Sequence, residues 1–180
     1  MKVCIIGAGD GGAIAAAQIR HVDSEAQIDI FSSRDELGCP PCEIPLVIGG
    51  VISTWDELIR GFRRTSFWEK RNAGVHLNAE VTRVVRDEKY IVAANKKYDY
   101  DKLILALGAT PTVPTFPGLD GKNEFALSTD LADGRALGEA VSRYRSAAII
   151  GGGFIGLEIA AALKARGYRH IHMLVRSGLL

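Results

Sequence analysis

The hydrophobic and polar positions of the chain follow one pattern twice. A short apolar run at residues 3–6 leads into a glycine cluster, then an alanine-rich segment over 11–22, then alternating apolar residues over 27–32. Short apolar runs bounded by glycine are typical of buried strands, and an alanine-rich segment favours a helix. The same order returns over residues 146–175, so we expect two copies of a β-α-β unit.

The pattern also predicts the elements that separate and extend these copies. They are a loop-rich stretch over 33–53, a helix start at 54–58, a basic amphipathic helix over 62–73, strands over 75–77, 80–85, 90–94 and 102–107, and a helix over 129–144. The strands over 80–85 and 90–94 are expected to pair as a small β hairpin. Three prolines within 111–121 indicate a stiff linker, so we expect domains at 1–112 and 113–180.

Charge and cysteine content narrow the class of protein. The chain has 22 Lys and Arg against 21 Asp and Glu, and this balance excludes nucleic-acid binding by bulk electrostatics. No apolar run is long enough for a signal peptide or a membrane span, so we expect no membrane partner. Three cysteines do not make a secreted disulfide scaffold, which predicts a reducing, cytoplasmic location.

Each glycine cluster fits the pattern G-x-G-x-x-G between a strand and a helix. In this pattern the first glycine permits a tight turn, the second lets the backbone approach a pyrophosphate, and the third lets helix and strand pack closely. The alternative is a simple packing turn, but two copies in the same context favour dinucleotide binding. The candidate binding residues are Gly7, Ala8, Gly9, Asp10, Gly11, Gly12, Gly151, Gly153, Phe154, Ile155 and Gly156. We therefore predict an α/β fold of two Rossmann-like, doubly wound β-α-β units, the first with the hairpin.

Both copies lack the acidic residue that usually ends the second strand and binds the ribose. In the first copy Ser32, Ser33 and Arg34 occupy this place, so ribose recognition is expected from Ser32 or Asp35. In the second copy Arg176 occupies it. A guanidinium suits a 2′-phosphate and favours NADPH over NADH, whereas the alternative is a solvated surface charge.

A Cys-Pro-Pro-Cys segment follows the first copy. Cys39 and Cys42 have the spacing at which one thiolate attacks a disulfide and the other resolves the mixed disulfide. Zinc would need four ligands, and the chain has no second such pair, so no metal is expected. A turn with inert cysteines is the remaining alternative. Cys4 lies within the first strand and is predicted to be a small core residue.

These motifs together resemble the flavin-dependent pyridine nucleotide–disulfide oxidoreductases. The segments that carry the resemblance are 2–9, 41–50, 105–111 and 149–158. The similar group within the family contains coenzyme A-disulfide reductase, NADH oxidase and NADH peroxidase. The resemblance implies FAD at the first glycine loop, NAD(P)H at the second, and Cys42 as the redox cysteine beside the flavin. It also implies cofactor contacts at Pro41, Val81, Ala106, Leu107, Gly108 and Glu158.

Departures from the group narrow the implied reaction. Oxidases and peroxidases of the group resemble one another in a histidine within the first loop, where this chain has Asp10, so oxygen or peroxide chemistry is disfavoured. Gln18 and His21 fall where the similar reductases contact coenzyme A, although an ordinary polar helix face is the alternative. Cys39 is an additional cysteine. It could resolve Cys42, which would shift the substrate toward a persulfide, polysulfide or protein disulfide.

Members of this family are longer than 180 residues. We therefore expect a fragment that is inactive by itself and a homodimer for the full-length enzyme. The predicted function is electron transfer from NAD(P)H through FAD and Cys42 to a small disulfide, persulfide or polysulfide. The alternatives are an NADH oxidase or peroxidase, a ferredoxin or rubredoxin reductase without a redox cysteine, and a nucleotide-binding module without catalysis.

Overall fold

The structure is a computed structural model that describes residues 1–115, 117–119 and 121–176. It consists of two compact units, Met1–Cys39 with Ile59–Ala109 and Pro40–Leu58 with Thr110–Leu180. Segment 40–58 therefore packs within the second unit, whereas the predicted division into 1–112 and 113–180 groups it with the first. Residues 177–180 of the predicted second domain lie outside the described residues.

The helices and strands, in chain order, are β1 (Lys2–Ile6), α1 (Asp10–Val22), β2 (Gln27–Phe31), α2 (Ile44–Gly49), α3 (Thr65–Glu69), β3 (Ala73–His76), β4 (Val81–Val85), β5 (Tyr90–Ala93), β6 (Lys96–Asp99), β7 (Lys102–Leu105), α4 (Leu131–Arg143), β8 (Ser146–Ile150), α5 (Phe154–Ala165) and β9 (His170–Leu174). Short 3-10 turns cover Pro41–Glu43, Trp55–Leu58 and Gly61–Arg63.

The first unit is built on a parallel sheet with the strand order β3-β2-β1-β7. In register, Val3 of β1 lies opposite Ile28 of β2 and Lys102 of β7. Helix α1 joins β1 to β2, so the predicted β-α-β unit is confirmed. Because the four strands run in the same direction, the loops that follow them meet at one edge of the sheet, where ligands bind in such folds.

Both faces of this sheet are covered, which explains the continuous apolar run of β1. Val3 and Ile5 pack with α1 on one face, in a core that also contains Trp68. Cys4 and Ile6 pack on the other face, beneath the antiparallel sheet formed by β4, β5 and β6. Alternate residues of one short strand therefore contribute to two cores.

The sequence predicts a two-stranded β hairpin, and the structure adds β6 to it as a third strand. Residues 96–99 (Lys-Lys-Tyr-Asp) are mainly polar and give little hydrophobic signal. Their backbone pairs with β5 from Tyr90–Asp99 to Ala93–Lys96. Ala94 and Asn95, both with positive φ, form the tight turn between the two strands.

The predicted amphipathic helix over 62–73 is wrong. The structure has a 3-10 turn followed by the five-residue helix α3, which ends before the left-handed residue Asn72 (φ 51°). Strand β3 then begins at Ala73, earlier than the predicted strand at 75–77. Trp68 ties this short helix to the core, because its side chain is buried and its indole N–H donates to the carbonyl of Phe62 (2.7 Å).

The second unit contains the predicted second copy, in which α5 connects β8 to β9 and the two strands pair in parallel. It also contains α2, in a region expected to be loop. Ile44, Val47 and Ile48 of α2 are buried, and the left-handed Gly50 (φ 82°) ends the helix. Pro45 lies in the first turn, where proline is tolerated because its missing N–H has no helical partner.

Candidate functional site

The first glycine loop turns sharply from β1 into α1. Gly7 has a φ of 108°, and a Cβ on this residue would overlap the carbonyl oxygen of Ala106. A Cβ on Gly12 would overlap the carbonyl oxygen of Gly7. Both positions therefore require glycine, one for backbone conformation and close approach and the other for close approach alone.

The loop presents uncapped backbone donors at the start of α1. The first helical bond runs from the N–H of Ala13 to the carbonyl of Gly9 (3.0 Å), so the preceding N–H groups have no acceptor within the helix. Gly9 is the N-cap and supplies no side-chain acceptor. A Cβ on Gly9 would meet nothing within 4 Å, so the loop leaves open space beside these donors. This arrangement fits a phosphate or diphosphate.

The loop after β2 uses Ser32 to hold its own shape. Ser32 is 8% exposed, and its hydroxyl donates to the carbonyl of Glu36 (3.2 Å) and accepts from the N–H of Arg34 (3.1 Å). Ser33 and Asp35 are exposed at the same edge of the sheet. Of the two residues proposed for ribose recognition, Asp35 therefore has the more accessible side chain.

The segment after β7 joins the first loop at this edge. The N–H of Ala106 donates to the carbonyl of Ile6 (2.7 Å), which places Ala106 beside Gly7. Leu107 is 69% exposed and Gly108 has a φ of 72°. Val81 lies apart from them, in β4, where it packs against the core under the antiparallel sheet. The structure thus brings the first loop, the β2 loop and residues 106–108 together.

An ion pair joins the first loop to a distant part of the same unit. Nη2 of Arg63 lies 2.6 Å from Oδ1 of Asp10, and the side chains are 11% and 40% exposed. The Arg63 guanidinium also lies over the ring of Phe62, 4.3 Å from its centroid. Arg63 could not be identified from the sequence, because neither motif nor spacing relates it to the glycine loop.

The three cysteines differ in exposure. Cys42 is exposed in the 3-10 turn that begins at Pro41, itself exposed, whereas Cys39 is 3% and Cys4 2% exposed. Burial, followed by the charge of Glu36, raises the pKa of Cys39 to about 11. Burial and then Asp29 raise the pKa of Cys4 to about 12. Both buried thiols therefore stay protonated at neutral pH, and a protonated thiol is a poor nucleophile.

This difference predicts selective alkylation of the native full-length gene product after anaerobic reduction with NADPH, which leaves Cys42 as a free thiol. At pH 8 we expect iodoacetamide to modify Cys42 while Cys39 and Cys4 remain unmodified, because a thiol of pKa near 11 is only about one part in a thousand thiolate at that pH. Cys39 labelling should increase as the pH rises toward 11, since the raised pKa delays thiolate formation. Mass spectrometry of the peptides measures this, and unfolded protein, in which all three cysteines react, is the control. Labelling of Cys39 as fast as Cys42 at pH 8 would contradict it.

The second glycine loop repeats the geometry of the first. Gly151 has a φ of 119°, and a Cβ on Gly156 would overlap the carbonyl oxygen of Gly151. A Cβ on the N-cap Gly153 would meet nothing within 4 Å, and the N–H of Leu157 makes the first helical bond to the carbonyl of Gly153 (3.0 Å). The other candidate residues of this loop and its neighbourhood are exposed, namely Phe154, Ile155, Glu158 and Arg176.

The candidate coenzyme A contacts lie on α1. Gln18 and His21 are exposed and one helical turn apart, so they share a face of the helix.

Within the part of the chain that the structure describes, no group of three or more His, Cys, Asp or Glu residues could hold a metal ion. Among the same residues, no helix has both the length and the apolar character needed to cross a membrane.

Comparisons with known proteins agree on one protein family. The family model described as pyridine nucleotide-disulphide oxidoreductase matches residues 1–180. An NAD(P)H coenzyme A polysulfide/persulfide reductase of Pyrococcus horikoshii is 38% identical over 97% of this chain, and the chain spans 39% of that relative's length. The reduced Bacillus anthracis CoADR-RHD structure has a TM-score of 0.87 at 31% identity and covers 97% of this chain and 32% of its own. A water-forming NADH oxidase from Lactobacillus brevis has a TM-score of 0.88 at 26% identity, over 97% of this chain and 39% of its own.

Proposed function

Because the chain belongs to the pyridine nucleotide-disulphide oxidoreductase family, we propose that the whole protein passes electrons from NAD(P)H, through FAD and Cys42, to a small disulfide, persulfide or polysulfide. The observation that carries the proposal is the exposure of Cys42, in contrast to the burial of Cys4 and Cys39. The substrate class agrees with the names of relatives, which include a coenzyme A polysulfide/persulfide reductase and a coenzyme A disulfide reductase of Staphylococcus haemolyticus.

Each of the two glycine loops would bind a different cofactor. The uncapped N–H groups of the first loop would hold the diphosphate of FAD, with Asp35 near the ribose and residues 106–108 closing the same edge. The second loop would hold NAD(P)H, with Arg176 beside a 2′-phosphate. Bound FAD supplies the hydride and electron chemistry, and the protein supplies binding, orientation and the thiol.

Cys42 would perform the covalent step. Its thiolate forms a bond to one sulfur of the substrate, the substrate S–S bond breaks, and the other sulfur leaves as a thiolate that takes up a proton. Two electrons that originate in NAD(P)H then reduce the mixed disulfide, which releases the second thiol and restores the Cys42 thiolate. For a disulfide RSSR, one NAD(P)H and one proton yield two RSH. Cys39 would not act as an attacking thiol, because burial raises its pKa to about 11 and so keeps it protonated at neutral pH.

Electron counting tests this function. We expect anaerobic titration of the full-length gene product with NADPH to consume more electrons than the bound flavin accepts, because Cys42 isolated as a mixed disulfide or sulfenic acid accepts two further electrons when it is reduced to the thiol. The Cys42→Ser variant should consume only the electrons of the flavin. A parallel titration with NADH measures the preference assigned to Arg176. If the wild-type protein takes up only as many electrons as its bound flavin accepts, the result would favour an electron transferase without a redox cysteine.

Oxygen or peroxide reduction is not part of the proposal, although one relative is an NADH oxidase from Methanocaldococcus jannaschii. Position 10 carries a carboxylate bound to Arg63 and not the histidine of the similar oxidases and peroxidases. We infer that the whole enzyme is a cytoplasmic homodimer. We expect it to have neither a nucleic-acid nor a membrane partner, since the net charge of +1 provides no overall excess of basic charge.

A further inference from the structure

We propose that Arg63 is a positioning residue that neutralises Asp10 and thereby sets the affinity of the first glycine loop for a diphosphate. This inference rests on the proposed binding of FAD at that loop. Asp10 is the first residue of α1, so its carboxylate lies at the helix end that presents uncapped N–H groups. Arg63 reaches it from the 3-10 turn Gly61–Arg63 and binds it at 2.6 Å.

The carboxylate of Asp10 creates an electrostatic conflict. A helix N-terminus attracts a negative charge, and Asp10 alone satisfies part of that attraction. A diphosphate arriving at the same donors would be repelled by the carboxylate. The positive charge of Arg63 removes this repulsion while leaving the backbone donors available, so the loop can accept a second anion.

The surroundings of Arg63 hold its guanidinium in place. Its side chain is only 11% exposed, and its guanidinium lies over the ring of Phe62. Partial burial reduces solvent screening and strengthens the charge–charge interaction. Arg64, the next residue, offers a contrast, because it is exposed and its Nε donates to the carbonyl of Ile59 (3.0 Å).

A double-mutant cycle on the full-length gene product tests the role of this charge. Apoprotein of the wild type and of Arg63→Met, Arg63→Lys, Asp10→Asn, Asp10→Asn with Arg63→Met, and the control Arg64→Met is titrated with FAD, and flavin fluorescence gives the dissociation constant. We expect Arg63→Met to weaken FAD binding by about tenfold or more, and Arg64→Met to change it by less than about twofold. The double variant should return to within about threefold of the wild type, because it removes the carboxylate that needs neutralising.

The outcomes separate charge from packing. Wild-type affinity in Arg63→Met would overturn the inference, and so would a double variant that binds as weakly as Arg63→Met, since Arg63 would then act through packing. Urea unfolding of each apoprotein identifies variants that do not fold. If Arg63→Met does not fold, Arg63→Lys takes its place. FAD binding that Arg63→Lys weakens by less than about threefold, together with near-wild-type binding in the double variant, then supports the inference. Wild-type protein that binds no FAD would instead contradict the proposed function itself.

Discussion

Replacing Cys42 with serine is expected to abolish disulfide or persulfide turnover while leaving reduction of the bound flavin by NAD(P)H intact. Cys42 is the only exposed cysteine among the described residues, and a serine hydroxyl cannot form the mixed disulfide. We expect kcat for the disulfide to fall by about 10³-fold or more, and the rate of flavin reduction to change by less than about twofold. Steady-state assays and anaerobic stopped-flow absorbance measure the two rates.

The matched control is Cys39→Ser. Because Cys39 is 3% exposed and burial raises its pKa to about 11, its loss should alter kcat by no more than about threefold in a protein that remains folded. Equal loss of turnover in both variants would show that Cys39 resolves the Cys42 intermediate and that the loop opens during catalysis. Full turnover in Cys42→Ser would remove the cysteine from the mechanism.

Replacing Gly12 with alanine is expected to destabilise the first unit and abolish FAD binding. The added Cβ would overlap the carbonyl oxygen of Gly7 and lie 3.3 Å from Cγ2 of Ile5, so either the loop or the start of α1 must move. Neither neighbour is a flexible side-chain end. We expect the free energy of unfolding to fall by about 3 kcal/mol, as for other overpacked sites, with loss of the loop geometry that the diphosphate needs.

Gly11→Ala provides the control one residue away. A Cβ there would contact only Cβ of Ala106, at an ordinary 3.9 Å. Its unfolding free energy should stay the same or rise by up to about 1 kcal/mol, since alanine is the better helix former. Urea unfolding of the apoproteins measures both values. If the two variants were equally stable, the close approach of Gly12 to Gly7 would not constrain the loop.

Some elements escaped sequence analysis because their signal was not periodic hydrophobicity. Strand β6 is polar and exists through backbone pairing with β5, which depends on tertiary context. Helix α2 contains proline and ends in two glycines, a composition that favours a loop. Burial of its apolar face within the second unit nevertheless stabilises the helix. The overestimated helix at 62–73 shows the reverse case, in which helical composition yields to the left-handed Asn72 and to strand β3.

By itself the sequence determined the two β-α-β units, the glycines that their turns require and the position of Cys42. Each of these depends on local chemistry: apolar runs, missing Cβ atoms and a thiol at a stated position. The tertiary structure alone decided which thiol is exposed, that the hydroxyl of Ser32 holds its own loop, and that Arg63 binds Asp10. These features depend on burial and on contacts between residues far apart in the chain. No local pattern records them, because folding brings such residues together only when the cores close.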